Sequence, residues 1–326
     1  MQTSGIGPFV TQAFEFADVL GEAPRLIKVA DADAHEGPVY VANEDALYFT
    51  SLPRVVDVPT PGSRTVAVRR VQLKGEEFPR LPHDVSTVRE PANMANGMVL
   101  DQDGCLLVCE QGTRFEHGRI SRLDPRTGCI ETIIDAWQGL RLNSPNDVVQ
   151  KRDGSIWFTD PSYGFLQGFK DQPQVGDYVY RFDPASGQVT IVADGLDKPN
   201  GLAFSPDESV LYVGDSGAIH GPDDYSAQRP HHVLTFDVRE GRHLWNQRLF
   251  AVIAPGFPDG IKVDRSGRVY VSSFSGVQVF SPAGDPLGKI HLPGAVNFTF
   301  GGAKGNLLFI TADSAIWVAM LQAVGG

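Results

Sequence analysis

Residues 144–164 read SPNDVVQKRDGSIWFTDPSYG. Two short apolar runs, Val148-Val149 and Ile156-Trp157-Phe158, flank the turn dipeptide Asp153-Gly154. That pattern reads as a β-hairpin. The ends of a hairpin lie side by side, so Asn146 and Asp160 are expected at one edge of a sheet, with their oxygens free for chemistry. Five more copies align on Asn146 and its turn residue Gly154: Glu36 with Glu44, Asn96 with Gly104, Asn200 with Glu208, Asp259 with Gly267, and Asn297 with Gly305. In each copy an apolar run precedes the turn and another follows it. Six copies at spacings of roughly 40–60 residues indicate a radial repeat.

Outer hairpins recur between the inner ones, at Gly118–Ile134, Tyr178–Val192 and His232–Phe250. Four antiparallel strands per repeat make an all-β, six-bladed β-propeller. No linker interrupts the chain, so residues 1–326 are expected to form one domain, with residues 1–30 completing the last blade through a strand at Leu26–Val29. Between the first inner hairpin and Asn96, Val66–Val68 and Val71–Leu73 are candidate outer strands, and the stretch Trp137–Arg141 suggests a short helical turn.

Composition narrows the function. The net charge is −11 and no basic stripe is present, which argues against a nucleic-acid partner. No apolar run approaches the roughly 18 residues of a membrane span, and the N-terminal residues lack the basic start and apolar core of a secretory signal. The expected setting is cytoplasmic, as a monomer or homodimer. There are three cysteines. Cys105 and Cys109 would lie about 13 Å apart on an extended strand, too far to bridge.

In a propeller the first strand of each blade lines the central channel, and its first residue sits at one mouth. The six equivalent positions are Glu36, Asn96, Asn146, Asn200, Asp259 and Asn297, all carboxylate or amide. Closing the propeller brings them into a ring of hard oxygen ligands suited to Ca²⁺, Mg²⁺ or Mn²⁺ rather than to a structural zinc. The bland alternative is that Asn96-Gly97, Asn200-Gly201 and Asp259-Gly260 are merely turn dipeptides. A second tier of acids, Glu110, Asp160, Asp215 and Asp313, closes the returning strands. Such acids orient ligands, hold substrate hydroxyls or accept a proton from water. Tyr163 is a candidate wall, and Glu110, Arg114 and His117 share one connection near the mouth. An extended strand points His35 away from Glu36. No nucleophile elbow, P-loop or dinucleotide fingerprint is present.

The runs SPNDVVQKRDGSIWFTDPSYG (144–164), DGLDKPNGLAFSPDESVLYVGD (194–215) and FPDGIKVDRSGRVYVSS (257–273) together resemble the SMP-30/gluconolactonase/LRE family, in its bacterial gluconolactonase-like branch. The resemblance covers the chain from Glu36 to its end. It implies a six-bladed propeller and a catalytic divalent cation, usually Ca²⁺ with Mg²⁺, Mn²⁺ and Zn²⁺ as alternatives, held by Glu36, Asn146, Asn200 and Asp259. It implies hydrolysis of a small-molecule lactone, of the glucono-1,5-lactone type, with Asp259 or Asp160 as the base. Asn96, Glu110, Arg114, His117 and Tyr163 are the expected substrate contacts. Two rivals use the same frame: a hydrolase of other lactones or phosphotriesters, and a calcium-binding or interaction propeller without catalysis. A mouth rich in Phe165, Leu166 and Phe169 would favour an apolar substrate, and one built from Arg114, Glu110 and Asp160 would favour a sugar.

Overall fold

A computed structural model describes residues 4–55, 64–73 and 83–326. Six antiparallel sheets surround a central channel; in the first four blades the chain runs from the innermost strand outward, and the outer edges of the last two take strands from the N-terminal part of the chain. Blade one comprises Glu36–Val41, Ala46–Thr50, Val68–Gln72 and Val85–Arg89; blade two comprises Ala95–Leu100, Leu106–Glu110, Arg119–Leu123 and Ile130–Ile134. Blade three starts at Val148–Gln150, blade four at Pro199–Phe204, blade five at Ile261–Val263 and blade six at Asn297–Gly301. The six inner hairpins are the six repeats of the sequence.

The second strand of each blade reads as an unbroken apolar run because both of its faces are buried. In blade two, Leu106 and Val108 pack into the core shared with blade one. Their neighbours Leu107 and Cys109 pack into the core shared with blade three. Trp157 and Phe158 divide in the same way between blades four and two. A period of two therefore feeds two interfaces at once. Hydroxyls at the inner ends of these strands tie neighbouring blades together. Thr50 Oγ1 donates to the Asn96 carbonyl at 3.2 Å and Thr159 Oγ1 to the Asn200 carbonyl at 2.8 Å. Ser216 and Ser272 do the same for the carbonyls of Pro258 and Val296.

The ring is closed by Arg25–Ala34, which pairs antiparallel with Asp313–Met320 as the outermost strand of blade six. Only part of the N-terminal segment serves the last blade: Ser4–Ile6 and Phe9–Thr11 instead add two strands to the outside of blade five. Phe9 and Phe16 are buried there, so hydrophobic burial draws the segment one blade further round. The expected helical turn at Trp137–Arg141 is a two-stranded hairpin, Ala136–Trp137 with Leu140–Arg141. Gln138 and Gly139 have φ of 50° and 81°, the two left-handed residues of a hairpin turn. The strand Val85–Arg89 carried no clear apolar pattern, because its residues are half-exposed at a blade edge. All three cysteines are free, Cys105 and Cys109 buried and Cys129 exposed.

Candidate active site at the channel mouth

The first strands all begin at one mouth of the channel, and five of the six ring residues line a single cavity there: Glu36, Asn96, Asn146, Asn200 and Asp259. Its volume is about 250 Å³. The sixth, Asn297, stands behind the wall. Its Nδ2 donates to Glu36 Oε2 at 2.7 Å while its Oδ1 accepts from the Phe298 N–H, so it fixes the orientation of Glu36.

The glycines after the ring residues are not in turns. Each lies where the next blade's ring residue presses against the strand. A Cβ on Gly97 would sit 2.5 Å from the Asn146 carbonyl oxygen, one on Gly201 2.1 Å from that of Asp259, and one on Gly260 2.3 Å from Asn297 Oδ1. Such distances exclude any side chain. The Asn-Gly and Asp-Gly pairs are therefore the contacts by which neighbouring blades converge on the mouth. Blade three alone has an acid in this slot. Asp147 is buried, and its Oδ2 has no hydrogen-bond partner.

Electrostatically the site is prepared for positive charge. Burial pushes the Glu36 carboxyl well above the usual range, and the nearby Asp259 adds to the effect. Burial also pushes Asp259 up to about 7, against hydrogen bonds from Glu36 and Asn200 that pull it down, while Asp147 raises it further. Among the described residues lining the cavity there is no lysine or arginine. Two adjacent carboxylates and a nearby third, Asp147, with Lys262 acting on the third alone, leave the cavity short of positive charge. The donor set of two carboxylates and two amide oxygens fits a hard divalent cation. Unpartnered polar atoms also face the cavity. Asn96 Oδ1 and Tyr163 Oη are buried without a well-formed hydrogen bond. Burial, then the Asp259 charge, raises the Tyr163 phenol far above its normal value, so it stays protonated.

The second tier of acids does different work from that expected. Asp160 does not line the cavity. Its two oxygens accept the backbone N–H groups of Asn143 at 2.8 Å and Ser144 at 2.7 Å, the residues leading into Pro145-Asn146. Asp215 repeats the arrangement one blade on, accepting from Asp197 and Lys198 ahead of Pro199-Asn200. Both acids hold the approach to a ring asparagine. Both Asp160 oxygens are thereby engaged by the backbone, and burial pushes its carboxyl up to about 7. Glu110 is likewise buried away from the cavity, bound by Arg89 at 2.5 Å, Arg119 at 2.7 Å and Ser121 at 2.6 Å. Its carboxylate is satisfied within its own blade and the adjoining one.

Arg114 and His117 are not at the mouth either. They border a separate surface depression of about 100 Å³ with Arg141 and Lys170, and face Asp171 and Asp135 at 3.9 and 4.0 Å. None of Phe165, Leu166 and Phe169, nor of Arg114, Glu110 and Asp160, lines the cavity. Its mixed lining comes instead from loops the sequence did not single out: Gln111 and Gln167 on the polar side, Ile219, Pro222 and Phe257 on the apolar side. His35 also lines it. The reason is local. His35 falls between the strands Arg25–Ala34 and Glu36–Val41 and belongs to neither, so the alternation that would turn it away from Glu36 does not run through it.

A family profile described as the SMP-30/Gluconolactonase/LRE-like region matches residues 34–314. The chain belongs to this family. Its relatives within and around the family include a gluconolactonase of Zymomonas mobilis, 32% identical over 296 residues that cover 89% of this chain and 79% of that protein. The lactonohydrolase oryL of Aspergillus oryzae is 30% identical over 91% of this chain and 70% of its own length. Among solved structures, a gluconolactonase of Xanthomonas campestris superposes with a TM-score of 0.78 at 32% identity, covering 98% of each chain. A calcium-binding regucalcin of Agrobacterium tumefaciens, at 15% identity and a TM-score of 0.67, shares the fold. For this SMP-30/gluconolactonase-family chain, among the described residues, no helix is long and apolar enough to cross a membrane.

Proposed function

We propose that this chain, a lactonase by its family, hydrolyses a sugar lactone of the glucono-1,5-lactone type to the aldonic acid with the help of a divalent cation, Ca²⁺ before Mg²⁺, Mn²⁺ or Zn²⁺. The observation that carries the reading is the convergence of Glu36, Asn146, Asn200 and Asp259 in one cavity that lacks any lysine or arginine among its described lining. These four residues would hold the cation, which when bound polarises an ester carbonyl and makes water more acidic. The rest belongs to the chain itself. Asp259 accepts the proton of the attacking water through a carboxylate oxygen, a role left to it because both Asp160 oxygens are occupied by backbone amides. Tyr163, held in its protonated form, donates a hydrogen bond to an oxygen on which charge develops. Asn96 Oδ1, buried and unpartnered, accepts from a substrate hydroxyl. Phe257, Ile219 and Pro222 close the apolar side and keep bulk water from the reacting ester.

The test is proton release from glucono-1,5-lactone by the wild-type protein and by Asp259→Asn. The wild type is expected to hydrolyse it, and the variant to lose about 10²–10⁴-fold in kcat, as for removal of a positioned base. A variant that retains wild-type kcat would refute the role given to Asp259.

A further inference from the structure

One side chain in the cavity remains without a task. His35 lines it, and its Nδ1 lies 2.8 Å from Asp313 Oδ1, 278 residues away in sequence. The closure of the ring creates this contact. Arg25–Ala34 pairs with Asp313–Met320, with Ala34 opposite Asp313, and the chain passes directly from that strand through His35 into Glu36. Asp313 is held with φ of 53°, a left-handed conformation that a non-glycine residue adopts at a cost and that surrounding structure must maintain.

The chemistry of the pair places one proton. A carboxylate only accepts, so Nδ1 carries a proton toward Asp313 and Nε2 is left for a hydrogen bond elsewhere. The partner held by the ring is Asp313, through Nδ1. The side chain is 29% exposed and lines the cavity.

We propose that His35 is a substrate-binding residue whose Nε2 hydrogen-bonds a hydroxyl on the lactone, and that Asp313 is its positioning residue. This rests on the lactonase reading and names the side chains that would read a hydroxyl of the substrate. A ring nitrogen aimed into a cavity is satisfied by water when the site is empty and left unpaired by a plain lactone that displaces that water. Sites of this design discriminate against the analogue lacking the hydroxyl.

The experiment compares γ-butyrolactone with its α-hydroxy and β-hydroxy derivatives, using wild-type protein, His35→Phe, His35→Gln and Asp313→Ala, each confirmed folded by circular dichroism. The wild type is expected to favour at least one hydroxylated lactone by about 10–100-fold in kcat/KM. In His35→Phe that preference falls to near unity while turnover of plain γ-butyrolactone persists. His35→Gln, whose amide still hydrogen-bonds a hydroxyl, restores part of it. Asp313→Ala raises KM for the hydroxylated lactone more than for the plain one, with a smaller effect on kcat. Equal turnover of plain and hydroxylated lactones by the wild type, or a preference that survives in His35→Phe, overturns the assignment and leaves the lactonase reading standing. A folded wild type that turns over no lactone, glucono-1,5-lactone included, overturns the lactonase reading and the role of His35 with it.

Discussion

At the scale of the residue, similar acids at similar places in the repeat have acquired different work. Asp259 and Glu36 face a shared cavity and both are raised, chiefly by burial. Glu110 is just as buried, and burial pushes its carboxyl up, but Arg89, Ser121 and Arg119 outweigh this and the net shift is downward. A carboxyl whose folded value is depressed stabilises the fold above its unfolded value of about 4.3, and that stabilisation is lost as pH falls through the folded value. Glu110→Gln is therefore expected to cost on the order of 3 kcal/mol near neutral pH, because it leaves two arginines facing a neutral group. In thermal melts from pH 7 downward, the gap between variant and wild type should close in acid. KM for the lactone should not move, because Glu110 does not line the cavity. A rise in KM with no loss of stability would show that it contacts substrate after all.

At the scale of the element, the start of each inner strand decides what the site contains. Bulges lie between Glu36 and Val39, between Ala95 and Met98, and between Pro199 and Leu202. Each breaks the alternation of inward and outward side chains where the channel opens. The ring itself was legible in the sequence, because six acid or amide residues recur at one place in a repeat. The cavity-facing position of His35 was not, because strict alternation along the strand turns it away from Glu36. Asp160 and Glu110 were placed correctly at the strand ends, but which way a terminal side chain turns depends on partners brought in from other blades. Gln111, Gln167 and Phe257 come from loops with no repeat to betray them. The bulged geometry needs glycine at the blade contacts. Gly201→Ala would put a methyl 2.1 Å from the Asp259 carbonyl oxygen and 3.0 Å from the Ile261 nitrogen. Both are backbone atoms, so strand and blade must shift apart, at about 1–3 kcal/mol. The expected result is weaker cation binding, by tenfold or more in calorimetric titration, together with the lower stability. Gly154→Ala is the control: its φ is 85° but open space surrounds it, so it is expected to lower stability by about 1 kcal/mol and leave cation affinity unchanged. Equal affinities in all three proteins would separate the blade contact from the site.

At the scale of the whole molecule, function depends on closing the ring. The four proposed cation-holding residues come from blades one, three, four and five, and the residue that steadies Glu36 from blade six. No pair of neighbouring blades contains the site. The sheets are tied across the channel mouth by hydroxyl-to-carbonyl bonds at Thr50, Thr159, Ser216 and Ser272, and the last blade takes its outermost strand from the N-terminal part of the chain. The sequence made the number of blades readable because every inner hairpin repeats one pattern. It did not reveal that the first strands of the chain extend blade five, since two short strands carry no mark of the sheet they will join. The central claim is that this closed ring gathers Glu36, Asn146, Asn200 and Asp259 around a divalent cation needed for lactone hydrolysis. It is tested most directly by measuring glucono-1,5-lactone hydrolysis after exhaustive chelation, before and after adding back Ca²⁺, Mg²⁺, Mn²⁺ or Zn²⁺ singly. Hydrolysis that disappears on chelation and returns with one of these ions is the predicted result. Undiminished hydrolysis by protein shown to be free of metal would contradict it.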